Sequence, residues 1–277
     1  MKKAYIVLLI LLLIVTGVVI FVASKSNKQI NQNDFKIYFF NAGKADACII
    51  SKDGYNVMID TGEDDLLNSI LLYFKNNNIE KLDYLIITHF DKDHVGSASG
   101  IIDNIEVLNV LQSNSPKESE YYNDYINSLT NKSIEAKTIS GDFEFNLGDL
   151  KFVVNGPDKI YEKDESNNSS LITSLVYKNT KYIFMGDAQN DRLKDFISNN
   201  FTIYDFVKIP YHGNYQKQLE NLLNNIQPEY AVITSSFEEI EDDKMIDLLE
   251  SINIKYYLTR NGGLTIYSDG EKIEIEQ

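Results

Sequence analysis

Several things are scarce in this chain of 277 residues: it has one cysteine, three histidines, four prolines and no tryptophan. A single cysteine cannot form an internal disulfide, so cross-links do not hold the fold. Positive charge is also short, with 26 Lys and Arg against 41 Asp and Glu and a formal charge of -15. That balance argues against a protein held to nucleic acid by its overall field, because such binding needs Lys and Arg to displace counterions from phosphate. Hydrophobic residues make up 43%, which with so few prolines describes a packed globular chain rather than a disordered one.

What is present begins with an apolar run. Ala4 to Ala23 are uncharged, nearly all Leu, Ile or Val, and follow Lys2 and Lys3. At about 1.5 Å per residue, such a helix crosses a hydrocarbon core of roughly 30 Å. A cleaved signal peptide has a shorter apolar region of about 7–15 residues; Val22-Ala23-Ser24 resembles a cleavage site, but the length favours an uncleaved anchor. No cysteine follows the run, which excludes a lipoprotein. Lys25 and Lys28 balance Lys2 and Lys3, so orientation rests on the signal-like order of segments. The expectation is one N-terminal transmembrane helix in the cell membrane, with the body extracytoplasmic.

Residues 1–33 then form anchor and polar linker, and residues 34–277 one domain without internal repeats or Pro/Gly-rich breaks. The first 33 residues hold four lysines and no acid, so the body carries 22 basic and 41 acidic side chains, a net charge of -19.

From Phe35 onward, the short apolar runs FKIYFF, ACIIS and YNVMID are spaced as in a β-meander. After Thr61-Gly62, the recurrence of Leu66, Leu67, Ile70, Leu71 and Phe74 predicts a helix. A strand over 82–88 and a helix from Val95 follow. A second half holds strands at KFVVN, SLITSLVY, KYIFM, DFVKIP and EYAVITS, with helices over 188–198, 216–225 and 243–251. Strands KYYLT, GLTIY and KIEIE close the chain. Two sets of strands with attached helices predict an α/β sandwich of two sheets covered by helices.

The loops leaving these strands carry the chemistry. LDYLIIT runs into His89-Phe90-Asp91-Lys92-Asp93-His94, KYIFM into Gly186-Asp187, DFVKIP into Tyr211-His212-Gly213, and NVMI into Asp60-Thr61-Gly62. All three histidines lie in such loops, where function concentrates. In an extended loop, residues two apart face one way, so His89 and Asp91 can grip one ion and Asp93 and His94, past the bend, a second. Imidazole suits zinc and other transition metals, and carboxylate suits harder ions such as manganese. A solvated acidic loop with incidental histidines is the alternative; Gly-Asp alone is more often a turn, and His212 alone is equivocal.

In order along the chain stand Asn41-Ala42-Gly43-Lys44-Ala45-Asp46-Ala47, Ile59-Asp60-Thr61-Gly62, Thr88-His89-Phe90-Asp91-Lys92-Asp93-His94-Val95-Gly96, Asn167-Asn168-Ser169-Ser170-Leu171-Ile172, Gly186-Asp187 and Tyr211-His212-Gly213-Asn214. This series resembles the metallo-β-lactamase-fold hydrolases, and most closely the hydrolase domain of ComEC-type competence proteins. The resemblance runs from residue 36 to the closing Thr259 and Tyr267-Ser268-Asp269-Gly270.

It implies a four-layer αββα sandwich with two divalent ions, zinc or manganese, at one edge. One ion would take His89 and Asp91, the other Asp93, His94 and His212, with Asp187 between them. Asp93 would also orient the attacking hydroxide as the catalytic residue. Asp60 would buttress a ligand histidine. Asn168 and Ser170 fall in the family's N-N-x-S-L-V element; Lys44, where the family has Gln, is a candidate contact for a phosphate oxygen, with a solvated lysine the simpler reading.

The chain departs from the family pattern in several places. It has no histidine from 95 to 211, so the first ion lacks a protein ligand unless water or the Asn168 region completes its shell. Asn41 replaces Asp, Lys44-Ala45 replaces Gln-Gly, Tyr211 replaces a histidine, and a histidine-proline element is missing between Ser235 and Asp243. The function implied is a membrane-tethered metal-dependent hydrolase of phosphoesters, with a nucleic acid or smaller phosphodiester as substrate and no protein partner inferred. A β-lactamase-like acyl hydrolase and a non-catalytic binding module are the alternatives.

Overall fold

The computed structural model describes residues 35–163 and 165–277. The expected anchor and the boundary after residue 33 lie outside the described residues, among which no helix is long and apolar enough to cross a membrane.

Chain order runs β1 (Phe35–Phe39), β2 (Ala47–Lys52), β3 (Tyr55–Thr61), α1 (Leu67–Asn76), β4 (Lys81–Leu82) and β5 (Tyr84–Ile87). A helical turn α2 (Lys92–Val95), α3 (Ala98–Asn104), β6 (Glu106–Val107), β7 (Val110–Gln112), α4 (Glu120–Lys132) and β8 (Ala136–Thr138) follow. Then come β9 (Gly141–Leu147), β10 (Leu150–Gly156), α5 (Glu165–Asn168), β11 (Ile172–Tyr177), β12 (Thr180–Phe184) and α6 (Asn190–Asn199). The last part holds β13 (Phe206–Lys208), α7 (Leu219–Ile226), β14 (Tyr230–Ile233), α8 (Asp243–Ser251), β15 (Lys255–Leu258), β16 (Leu264–Ser268) and β17 (Ile273–Glu276).

Two sheets carry the fold. One has the order β17-β16-β1-β2-β3-β5-β7-β8, the other β15-β14-β13-β12-β11-β10-β9. Their facing sides share one core, in which Ile37, Phe39, Ile50 and Val57 meet Phe152, Leu175, Phe184 and Phe206. In β1 the alternation of FKIYF puts Phe35, Ile37 and Phe39 into that core and leaves Lys36 and Tyr38 half-buried. This is the period-2 signature of a strand. The outer face of the first sheet packs Ile49, Met58 and Leu85 against Ile70 and Phe74 of α1, Ile101 of α3 and Leu129 of α4. The outer face of the second packs Ile183, Val207 and Ala231 against Leu193, Leu222 and Met245 of the other helices. The layers are therefore helix, sheet, sheet, helix.

The strands that matter most for the site are parallel. β3 pairs with β5 and β5 with β7, while β12, β13 and β14 pair in sequence in the second sheet. Buried on both sides, they read as continuous apolar runs such as YLII and YAVI. In parallel sheets, loops at the carboxyl ends of the strands are the usual site of ligand binding. Asp60, His89, Asp187, His212 and Thr234 all lie at or just beyond such ends.

The sequence pattern gives no elements between the helix near Val95 and residue 150, where the structure has β6 to β9 and α4. α4 is polar along most of its length, EYYNDYINSLTNK, and buries only Tyr125, Ser128 and Leu129. Its start is set by Ser119, whose side chain accepts from Tyr122 N at 3.1 Å, a cap that satisfies one open donor of the first turn. The helix expected from Val95 is instead the turn Lys92–Val95 followed by Ala98–Asn104, and the one expected from Gln216 begins at Leu219.

Candidate metal centre

A bulge sets the first wall of the site. The β2–β3 register shifts between Ala47 and Cys48, and Asp60 adopts φ 54, a left-handed conformation that a non-glycine residue holds at a cost of about 1–3 kcal/mol and that clusters at functional sites. It turns the carboxylate inward. Oδ1 accepts from Thr88 N at 2.8 Å and Oδ2 from Thr88 Oγ1 at 2.7 Å. Oδ2 also lies 2.8 Å from His94 Nδ1.

Past β5 the chain stays extended only to Asp91, with φ -72 and ψ 150, before turning into Lys92–Val95. The bend expected after Asp91 is this helical turn, which carries Asp93 and His94 together. Asp91 turns one oxygen to protein, its Oδ1 accepting from Lys117 Nζ at 2.6 Å and from Ser166 Oγ, and keeps Oδ2 on the side of His89.

Each of the three imidazoles has its Nδ1 engaged by protein. His94 Nδ1 donates to Asp60. Thr88 Oγ1 gives its proton to Asp60, so His89 Nδ1 donates to that oxygen at 3.2 Å, with Ser170 Oγ at 3.4 Å. Thr234 Oγ1 donates to Asp46 Oδ1 at 2.5 Å, so His212 Nδ1 donates to Thr234 at 3.0 Å. The network therefore turns Nε2 of all three rings toward the cluster, where His212 Nε2 donates to Asp93 Oδ2 at 3.0 Å when the ring is protonated. His89 Nε2, His94 Nε2 and Asp187 Oδ1 are buried with no hydrogen-bond partner. Three such atoms in one place are costly unless something else occupies them, and imidazole nitrogen beside carboxylate oxygen is a donor set for a divalent ion. The residues fit a metal.

Asp187 is central. Its Oδ1 is 3.3 Å from His94 Nε2 and its Oδ2 3.2 Å from His212 Nε2. Asp93 Oδ2 stands 3.0 Å from His212 Nε2 and 3.7 Å from His94 Nε2. Ligand atoms of Asp93, His94, Asp187 and His212 all lie within 4.8 Å of one another. His89 lies beside them, its ring centroid 4.1 Å from that of His94, and its Nε2 is 3.9 Å from Asp91 Oδ2. Asp187 is aimed by Ser170, whose Oγ accepts from Asp187 N at 3.1 Å. The residue before it, Gly186, has φ +51, and a Cβ there would sit 3.0 Å from Thr88 Cβ.

A buried cation supports this acidic cluster. Lys208, 3% exposed, pairs with Asp46, donates to Gly186 O at 3.2 Å, and lies 3.9 Å from Asp187 Oδ1. Burial alone would lower the Lys208 pKa, but Asp46 and Asp187 outweigh it and raise it. Burial likewise works against the charged form at Asp187, yet His212 and His94 hold its carboxyl well below the usual range. Asp93 is lowered too, the attraction of His94 and His212 overcoming desolvation. The carboxylates in turn raise His94 and push His212 up to about 9 against the opposing effect of burial. Burial, with His94 adding to it, lowers His89. Without metal, imidazolium protons balance these carboxylates, in the place an ion would take.

The remaining expected residues divide. Ser170 joins the site. Asn168 does not: its Oδ1 accepts from Gln189 N and Arg192 N, each at 3.2 Å, and its Nδ2 donates to Lys163 O, so it caps α6 and has no atom left for the first ion. Lys44 is half-buried and forms no hydrogen bond or ion pair among the described residues. The sequence pattern does not single out Asp46, Thr88, Thr234, Lys208 or Lys117 for these roles. Asp46, Asp60 and His94 also cluster closely, but Lys208, Thr234, Thr88 and His94 already occupy the two carboxylates.

This geometry matches a known family. A model of the metallo-beta-lactamase superfamily covers residues 41–235, so the chain belongs to that superfamily, and its fold is the one its metal-dependent hydrolases share. The chain is 25% identical over 216 residues to Recombination protein 2 of Haemophilus influenzae, covering 75% of this chain and 25% of the relative. It is 22% identical over 206 residues to ComE operon protein 3 of Bacillus subtilis, covering 72% and 26%. These two relatives bear out the resemblance to ComEC-type proteins; the chain spans about a quarter of their length. The metallo-beta-lactamase fold protein YhfI of Bacillus subtilis superposes with a TM-score of 0.58 at 8% identity, over 84% of this chain and 99% of that one, a likeness of fold.

Proposed function

We propose that the protein is a metal-dependent hydrolase of phosphoesters, tethered to the membrane by residues 4–23 with its domain on the extracytoplasmic side. The observation that carries the reading is the convergence of unpartnered His89 Nε2, His94 Nε2 and Asp187 Oδ1 in a buried site beside Asp93 and His212. One ion, zinc or manganese, would be held by Asp93, His94 and His212 and the other by His89 and Asp91, with Asp187 shared. Bound there, two divalent ions would lower the pKa of a water toward about 7 and outweigh the three carboxylates, giving a positive centre for a phosphate.

The chain's own groups divide the rest of the work. Asp93, with 28% of its side chain exposed, reaches the solvent edge of the site and orients the attacking water. Asp60 and Thr234 fix the rings of His94 and His212. The tether is supported by the twenty uncharged residues of the apolar run. The substrate class is supported by the names of the relatives, one a recombination protein, and by the ComEC-type motifs. With a net charge of -19 on the body, a short strand or small phosphodiester approaches more easily than a long duplex.

A substrate panel tests the assignment: with manganese or zinc, the full chain should hydrolyse a chromogenic phosphodiester and leave a chromogenic lactam untouched. Lactam turnover at ordinary enzymatic rates with an inert phosphodiester would replace the reading with an acyl hydrolase, and ion binding without turnover of any substrate with a binding module.

A further inference from the structure

The two halves of the centre are built unequally. Asp93, His94, Asp187 and His212 present four ligand atoms to one another, and none of these side chains is paired with a lysine closer than the 3.9 Å from Lys208 to Asp187. On the other side stand only His89 and Asp91, and Asp91 Oδ1 is already taken by Lys117 and Ser166. Asp91 has one oxygen left, the Oδ2 that lies 3.9 Å from His89 Nε2.

Lys117 is no chance neighbour. The segment that carries it is fixed against the strand ends of the second sheet: Ser113 Oγ donates to Ser169 O at 2.8 Å, Asn114 Nδ2 to Pro157 O at 3.0 Å, and Ser115 Oγ to Glu165 Oε1 at 2.7 Å. Pro116 then restricts the backbone before Lys117. The ammonium is delivered to Asp91 by a loop anchored at three points, and it neutralises the one carboxylate of this half-site.

We propose, building on the metal-site reading above, that Lys117 is a built-in counter-cation for the His89–Asp91 half-site. The first ion binds among Asp93, His94, Asp187 and His212, and the second binds at His89 and Asp91 Oδ2 against the charge of Lys117 on Oδ1. The second ion therefore meets a neutral half-site and a positive neighbour, whereas the first enters a site of two carboxylates. Lys117 acts through Asp91 and sets the ion count at a given metal concentration.

The test is a titration of the full chain with manganese(II) alone, free ion being counted by electron paramagnetic resonance. The native chain should bind one ion tightly and a second at least about tenfold more weakly; Lys117→Met and Lys117→Gln should each tighten the second by about tenfold and leave the first within about twofold, while Lys117→Arg behaves as native. Two equal sites in the native chain, or an unchanged or weakened second ion in Lys117→Met and Lys117→Gln, would overturn the proposal while leaving the metal site standing. No ion bound at all would overturn the metal-site reading and the proposal with it.

Discussion

His94 Nδ1 stands 2.8 Å from Asp60 Oδ2, and Asp60 reaches it because the bulged end of β3 turns the chain to φ 54. The same carboxylate holds the backbone and hydroxyl of Thr88, the residue before His89. One carboxylate thus orients two rings of the centre.

Asp60→Ala should therefore weaken metal binding by about 10–100-fold, measured by competition with a chromophoric chelator. Unchanged affinity would mean that His94 is not a ligand.

Lys208→Met leaves the Asp46 carboxylate buried without its cation, and a loss of about 3–5 kcal/mol in urea-unfolding stability is expected. Adding Asp46→Asn should restore a large part of it, because the two changes are coupled. A loss in Lys208→Met below about 1 kcal/mol would show that the pair contributes little.

His212, pushed up to about 9 without metal, makes ion binding proton-linked above the range of an ordinary imidazole. Below about 9 the ring is protonated, an ion must displace that proton, and affinity falls as pH falls. Calorimetry at about pH 8 in buffers of different ionisation enthalpy should register proton release. An imidazole at its usual value, about 6.5, would release almost none there.

Gly186 sits at φ +51 directly before Asp187, with Thr88 and Ser170 crowding the position of a Cβ. Gly186→Ala should lower stability by about 1–3 kcal/mol and weaken metal binding, since it displaces Asp187. Native affinity and native unfolding in this variant would show that the turn tolerates a side chain.

Much of this centre is legible in the sequence for a physical reason. Four metal-competent side chains within six residues, His89 to His94, concentrate the signal locally, and apolar strands ending in Gly186-Asp187 and Tyr211-His212 mark loops at strand ends. Lys208 is opaque because it closes an apolar strand and its partner Asp46 lies 162 positions away; only the juxtaposition of the two sheets makes them a pair. Lys117 is hidden likewise, since its partner Asp91 lies across a loop with no apolar periodicity. The helix Glu120–Lys132 escapes the pattern because a capped, mostly polar helix presents only three buried residues. Asn168 fails in the opposite direction: its family motif suggests the site, but its amide is spent on the start of α6.

The most direct test of the account is cleavage of a chromogenic phosphodiester by the full chain, stripped of metal and reconstituted with manganese or zinc, compared with Asp187→Ala. The expected result is turnover that requires added metal and falls by at least about 100-fold in Asp187→Ala. Turnover that survives metal removal, or that is unchanged in Asp187→Ala, would contradict it.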